Sequence, residues 1–121
     1  MAIILNHTIV PAHDKVQVPE FFAHIFGLPF NGIQAPFAPI QVNDDLTLDF
    51  FDVAGFEPHH YAFLVSDAEF DAILNRIKTA NIPFGSEPIS GYNRQLYHHR
   101  GGRGIYFPDP NEHRYELLTR A

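Results

Sequence analysis

The chain is expected to be an α+β protein made of two βαβββ modules in succession, and three observations lead there. A strand-like segment with a histidine, an amphipathic segment and strands ending on a carboxylate run from NHTIVPAHDKVQVPEFFAHIF to LTLDFF. The same order returns from HHYAFLVSDAEFDAILNRI to HRYELLT, at an offset of about 53 residues between His7 and His60. Apolar residues alternate in the strand-like segments and recur at helical spacing between them.

In the first module, about residues 1–55, the segment Ile3 to Val10 is β-branched and alternating, with Leu5, His7 and Ile9 on one face, and Pro11 should end it. The next segment places Val18, Phe21, Phe22, Ile25 and Phe26 at helical spacing, with Pro19 suited to a first turn and Gly27 to a C-terminal cap. FAPIQV and LTLDFFDV then read as a hairpin turned by Asn43, Asp44 and Asp45. AGFEPHH changes composition and connects the modules.

In the second module, about residues 58–121, YAFLV reads as a strand, and Ser66 with Glu69 makes a capping box ahead of Phe70, Ile73, Leu74 and Ile77. From Pro83 to Gly104 the chain is turn-rich apart from a short strand expected near Phe84, and so long an irregular stretch suggests a lid. RGIYFPD and HRYELLT form an antiparallel pair around the turn DPNE.

Composition limits the chemistry. A chain of 121 residues, 45% apolar and with 12 Phe, holds one domain's core and is not disordered by composition. With no Cys there is neither disulfide nor thiolate, so a metal must be held by imidazole, carboxylate or water. A net charge of −6 with only 8 Lys and Arg gives no basic footprint for nucleic acid. No apolar run approaches the roughly 20 residues that cross a bilayer, and MAIILNHTIV lacks a basic lead, so the expectation is a soluble cytoplasmic protein without a membrane partner.

Each module offers an imidazole and a carboxylate: His7 and Asp49, then His60 and Glu116. Strand alternation puts His60, Ala62 and Leu64 on one face, and Arg114, Glu116 and Leu118 on the corresponding face of the last strand. Tyr106 joins them if the hairpin register holds. Two imidazoles and a carboxylate with open positions suit Fe(II) best, with Mn(II), Ni(II) or Zn(II) also able to bind. His59 should point away from its neighbour, and His13, His24 and His113 read as solvated side chains. His98 and His99 are less readily dismissed: with Arg94, Tyr97, Arg100 and Arg103 they make the long loop basic, which either recognises an anionic substrate or keeps the loop soluble.

At LNHTIV, HYAFLVSDAEFDAI and YFPDPNEHRYELL the chain resembles the vicinal oxygen chelate superfamily of glyoxalases, fosfomycin- and bleomycin-resistance proteins and extradiol dioxygenases, over essentially its whole length. The resemblance implies a single domain, residues 1–121, whose paired modules form a cup-shaped mixed sheet with helices outside. It implies a divalent metal held by His7, His60 and Glu116, a small-molecule substrate, and a homodimer, with the site either shared between chains or closed within one. Asp49 falls where glyoxalases place a further Glu and would be a fourth ligand, a substrate contact or, as favoured, a bystander beside the site; Arg94 and Arg103 of the basic loop, with Arg114, are the other expected substrate contacts. Tyr106 matches a tyrosine of fosfomycin thiol transferases, and His98 or His99 would be the acid–base histidine of a dioxygenase. Gly104 stands where those transferases carry a substrate-binding Ser, and Glu112 where the family has a turn Gly. The expected function is metal-dependent Lewis-acid chemistry on adjacent oxygen atoms, leaning to extradiol-type ring cleavage. The alternatives are a glyoxalase-like lyase or isomerase and a metal-free binding protein of the bleomycin-sequestering kind.

Overall fold

The computed structural model describes residues 3–88 and 91–121, which form two units, Met1–Glu57 and Pro58–Ala121. Both mix helix and sheet. No helix among the described residues is long and apolar enough to cross a membrane.

The first unit contains β1 (His7–Ala12), α1 (Gln17–Phe26), β2 (Ala38–Gln41) and β3 (Thr47–Asp52). Its sheet has the order β1-β3-β2, parallel between β1 and β3 and antiparallel between β2 and β3. The expected first strand is displaced toward the C-terminus: it starts at His7 and runs through Pro11 to Ala12. Pro11 is tolerated because β1 stands at the end of the strand order, where a missing N–H need not break a ladder on both sides. Val18, Phe22 and Ile25 of α1 are buried, and Gly27 closes the helix in the left-handed region at φ 70°. In the β2–β3 turn the Asn43 side chain accepts from the amides of Asp45 and Leu46, each at 2.8 Å. The described residues of this unit form βαββ rather than the expected βαβββ. Between α1 and β2 the Pro- and Gly-rich chain makes only an isolated bridge, Gln34 to Phe37.

The second unit runs β4 (His60–Leu64), α2 (Asp67–Thr79), β5 (Tyr97–His99), β6 (Gly102–Pro108) and β7 (Arg114–Leu118), with sheet order β4-β7-β6-β5. The capping box forms: Ser66 Oγ accepts from the Glu69 amide at 3.1 Å, and the Glu69 carboxylate accepts from the Ser66 amide at 2.9 Å. Phe70, Ile73 and Ile77 of α2 are buried, as are Ile105, Phe107, Tyr115 and Leu117 of the sheet.

The segment expected as an irregular lid is tied into this sheet at Gly85, at Tyr97–His99 and at the start of β6. Phe84 is buried outside any strand, Gly85 makes a single bridge to Tyr106, and the unit's second strand forms further on, at Tyr97–His99. Asn93 ties the intervening loop, accepting from the amides of Ser86 and Gln95 and donating to Ser86 Oγ at 2.8 Å. Ile89 and Ser90 lie outside the described residues.

The turn between β6 and β7 is organised by Asp109. Its Oδ1 accepts from the amides of Asn111 and His113 at 2.8 and 2.9 Å, and its Oδ2 accepts from the Tyr115 hydroxyl at 2.8 Å. His113, expected to be solvated, is fully buried, and its Nδ1 accepts from the His59 amide at 2.8 Å. Glu112 occupies the left-handed region at φ 67°, so the turn keeps the geometry that favours Gly. That conformation costs an L-residue about 1–2 kcal/mol, partly offset by the extra chain entropy of glycine, so Glu112→Gly is expected to stabilise the protein by about 0.5–1 kcal/mol. A rise in the midpoint of urea unfolding, with the slope unchanged, is the check.

Candidate functional site

The pleat of the second sheet separates two kinds of side chain. Tyr115 and Leu117 of β7 and Ile105 and Phe107 of β6 face the core, which leaves Arg114, Glu116 and Tyr106 on the opposite face. Pairing then brings the chemistry together: His60 stands opposite Arg114, Ala62 opposite Glu116, and Tyr106 opposite Glu116 from the other side. His60 Nε2 lies 3.1 Å from Glu116 Oε1. The Tyr97 hydroxyl donates to Glu116 Oε2 at 2.5 Å. The ring of Tyr106 sits between them, its centroid 5.8 Å from that of His60 and 5.6 Å from that of Tyr97. The Glu116 side chain is only 13% exposed and His60 is 48% exposed, so a ligand can reach the imidazole from solvent while the carboxylate is shielded.

This pair fits a divalent cation by its donor chemistry. Two donors at about 2.1 Å from one ion, at right angles, lie about 3.0 Å apart, close to the 3.1 Å found between Nε2 and Oε1. Among the described residues no three His, Asp or Glu side chains gather closely enough to complete a site.

In the first unit His7 is exposed at the start of β1, and its Nδ1 lies 2.8 Å from Asn6 Oδ1. A ring that donates from Nδ1 to that amide oxygen keeps Nε2 for a metal, which is how a metal-binding histidine is commonly oriented. Sequence reasoning passed over Asn6 because strand alternation would turn it away from His7; it precedes the strand and is free of that rule. Asp49 lines a cavity of about 400 Å³ with Asn31, Gln34, Gln41, Thr47 and Phe37, on the face of the sheet that also carries His7 and Ile9.

The remaining candidates are dispersed. Arg114 shares the face of His60 and Glu116, and its Nε is buried without a hydrogen bond among the described residues. Arg103, expected at the substrate, has its guanidinium committed elsewhere: it meets Asp67 and Asp71 at 2.8 Å and lies over the Phe70 ring, clamping β6 to α2. Arg94 stacks on Phe84, 4.9 Å from the ring centroid. His98 and His99 are exposed on β5. Alternation puts His99 on the side of Tyr97 and turns His98 away. His59 points away from His60, its Nδ1 2.8 Å from the Tyr61 hydroxyl. Tyr97 was visible in the sequence only as part of a basic loop; its contact with Glu116 requires knowing that β5 pairs with β6.

Burial raises the phenols of this sheet above the usual tyrosine range. For Tyr97 the hydrogen bond to Glu116 adds to burial, and for Tyr106 the charge of Glu116 does. Tyr61 is pushed up to about 12, first by burial and then by the Asp109 charge, and Tyr115 rises for the same reasons. Unfolded phenols ionise near pH 10 or about there, so the unfolded state loses these protons first. Their contribution to stability is intact below about pH 10 and is lost as pH rises through the folded values. Native protein at about pH 11 should therefore show less phenolate absorbance than the same protein in guanidinium, and its melting temperature should fall as pH rises above about 10.

No family model and no curated protein sequence matches the chain. Among solved structures it is similar to oxidase ChaP-H2, with 43% identity and a TM-score of 0.94 over 100% of this chain and 96% of that one. It is also similar to oxidase ChaP-H1, with 41% identity and a TM-score of 0.90 over 99% and 98% of the two chains. The fosfomycin resistance protein FosX from Listeria monocytogenes shares the fold at 20% identity, with a TM-score of 0.74 over 100% of this chain and 96% of that one.

Proposed function

Because the chain belongs to the vicinal oxygen chelate superfamily, as a relative of the oxidases ChaP-H1 and ChaP-H2, we propose that it is a divalent-metal-dependent enzyme that oxidises a small anionic substrate bearing adjacent oxygen atoms. The observation that carries this reading is the His60–Glu116 pair, spaced at 3.1 Å on an accessible sheet face and backed by tyrosines. His7 is retained as the third donor of this reading, since its imidazole is exposed at the start of β1. Fe(II) is the favoured ion, since two imidazoles and one carboxylate leave positions open for substrate and O₂.

When bound, the ion would supply Lewis acidity to the substrate oxygens and a site for O₂. The residues of the chain do the rest. Arg114, opposite His60 on the same sheet face, takes an anionic substituent with its guanidinium and orients the substrate. Tyr106, whose raised phenol stays protonated at neutral pH, donates a hydrogen bond to a substrate oxygen as negative charge develops there. In the extradiol-type reaction one ring C–C bond beside the diol breaks, both atoms of O₂ enter the product, and no external reductant is consumed. The likeness to two oxidases favours this over glyoxalase-type isomerisation, which consumes no O₂.

Metal analysis by mass spectrometry, on protein purified without chelator or histidine tag, tests the site. Near-stoichiometric divalent metal is expected in the wild type and its loss in His60→Ala and Glu116→Ala; unchanged metal content in those variants would sink the assignment. In a screen of catechols bearing a carboxylate or a second phenolate, turnover should consume one O₂ per product. Arg114→Ala should raise KM by about tenfold or more, as loss of a charge-assisted hydrogen bond of about 1.5–3 kcal/mol requires.

A further inference from the structure

Tyr97 and Gly104 form an arrangement that ligation by His60 and Glu116 does not by itself call for. They are cross-strand partners on β5 and β6. A Cβ on Gly104 would lie 2.0 Å from Tyr97 Cζ and 2.3 Å from its hydroxyl oxygen, so the ring lies across bare backbone. Gly104 is not among the residues with positive φ, so the position demands glycine for space and not for conformation. Passing over β6 in this way, the phenol of β5 reaches a carboxylate on β7, where it donates to Glu116 Oε2 at 2.5 Å. The other oxygen, Oε1, faces His60 Nε2.

We propose that Tyr97, admitted by Gly104, is the positioning residue of Glu116: it engages one carboxylate oxygen and thereby presents the other beside His60. This rests on the reading of His60 and Glu116 as metal ligands. A glutamate has several rotatable bonds, and a carboxylate free to swing loses conformational entropy each time it ligates. A phenol already bonded to Oε2 removes part of that loss and sets the direction of Oε1, which is the role of an outer partner to a metal-binding carboxylate. Gly104 is part of the same device, because any side chain there occupies the path of the ring.

The test is the affinity of Mn(II), followed by electron paramagnetic resonance of the free ion, in the wild type, Tyr97→Phe, Gly104→Ala, the double variant and His60→Ala. Tyr97→Phe should weaken Mn(II) binding by about ten- to a hundredfold, with the stoichiometry kept. Its melting temperature should stay close to that of the wild type. Gly104→Ala should weaken binding to a similar extent, and the double variant should bind no more weakly than Tyr97→Phe, because the added methyl then has no hydroxyl to displace. Binding by Tyr97→Phe within about twofold of wild type, while His60→Ala loses the ion, would overturn the positioning role alone; so would multiplying losses in the double variant. Failure of the wild type itself to bind Mn(II), Fe(II), Ni(II) or Zn(II) would overturn the metal reading and this inference with it.

Discussion

The site depends on the register of β6 against β7, and that register depends on the Asp109 carboxylate inside the connecting turn. Its oxygens accept from the amides of Asn111 and His113 and from the Tyr115 hydroxyl, while the Asp109 amide donates to the His113 carbonyl. A slip of one residue would carry Glu116 to the core face and Tyr115 to the open face, since side chains alternate along a strand. With the turn closed as found, Tyr106 meets Glu116, and the parallel strand β4 sets His60 beside them.

This arrangement places a buried carboxylate in the turn between β6 and β7. Asp109 is 5% exposed, and burial raises its pKa even against the lowering effect of its hydrogen bonds and of His113. The surrounding donors explain how the group is retained, because a buried polar atom is costly chiefly when it is left without partners. The same network buries His113, which accepts from the His59 amide and so turns the entry to β4. His59 is thereby held on the far side of the strand from His60, and only one of two adjacent histidines faces the site.

The open face and the clamp behind it use charge in opposite ways. Arg103 is neutralised by Asp67 and Asp71 and packs its guanidinium on Phe70, so it holds helix to sheet and has little left for a ligand. Arg114 stands with the imidazole and carboxylate, and its buried Nε has no hydrogen bond among the described residues. The two differ in their surroundings, and composition registers both simply as arginine.

Local chemistry was legible in the amino-acid sequence wherever neighbours along the chain decide the outcome. The Ser66–Glu69 capping box, the Gly27 helix stop and the Asn43 turn follow from residues a few positions apart, and the pairing of Tyr106 with Glu116 from a single hairpin, as did the separation of core and open faces by strand alternation. Only the tertiary structure decided what depends on distant segments meeting. The second strand of the second unit formed at Tyr97–His99 instead of near Phe84, because β6 offers its outer edge there, and this brought Tyr97 over Gly104 onto Glu116. His113 is buried and Arg103 engaged for the same reason: their partners, His59, Asp67 and Asp71, are tens of residues away, and no spacing in the chain announces them.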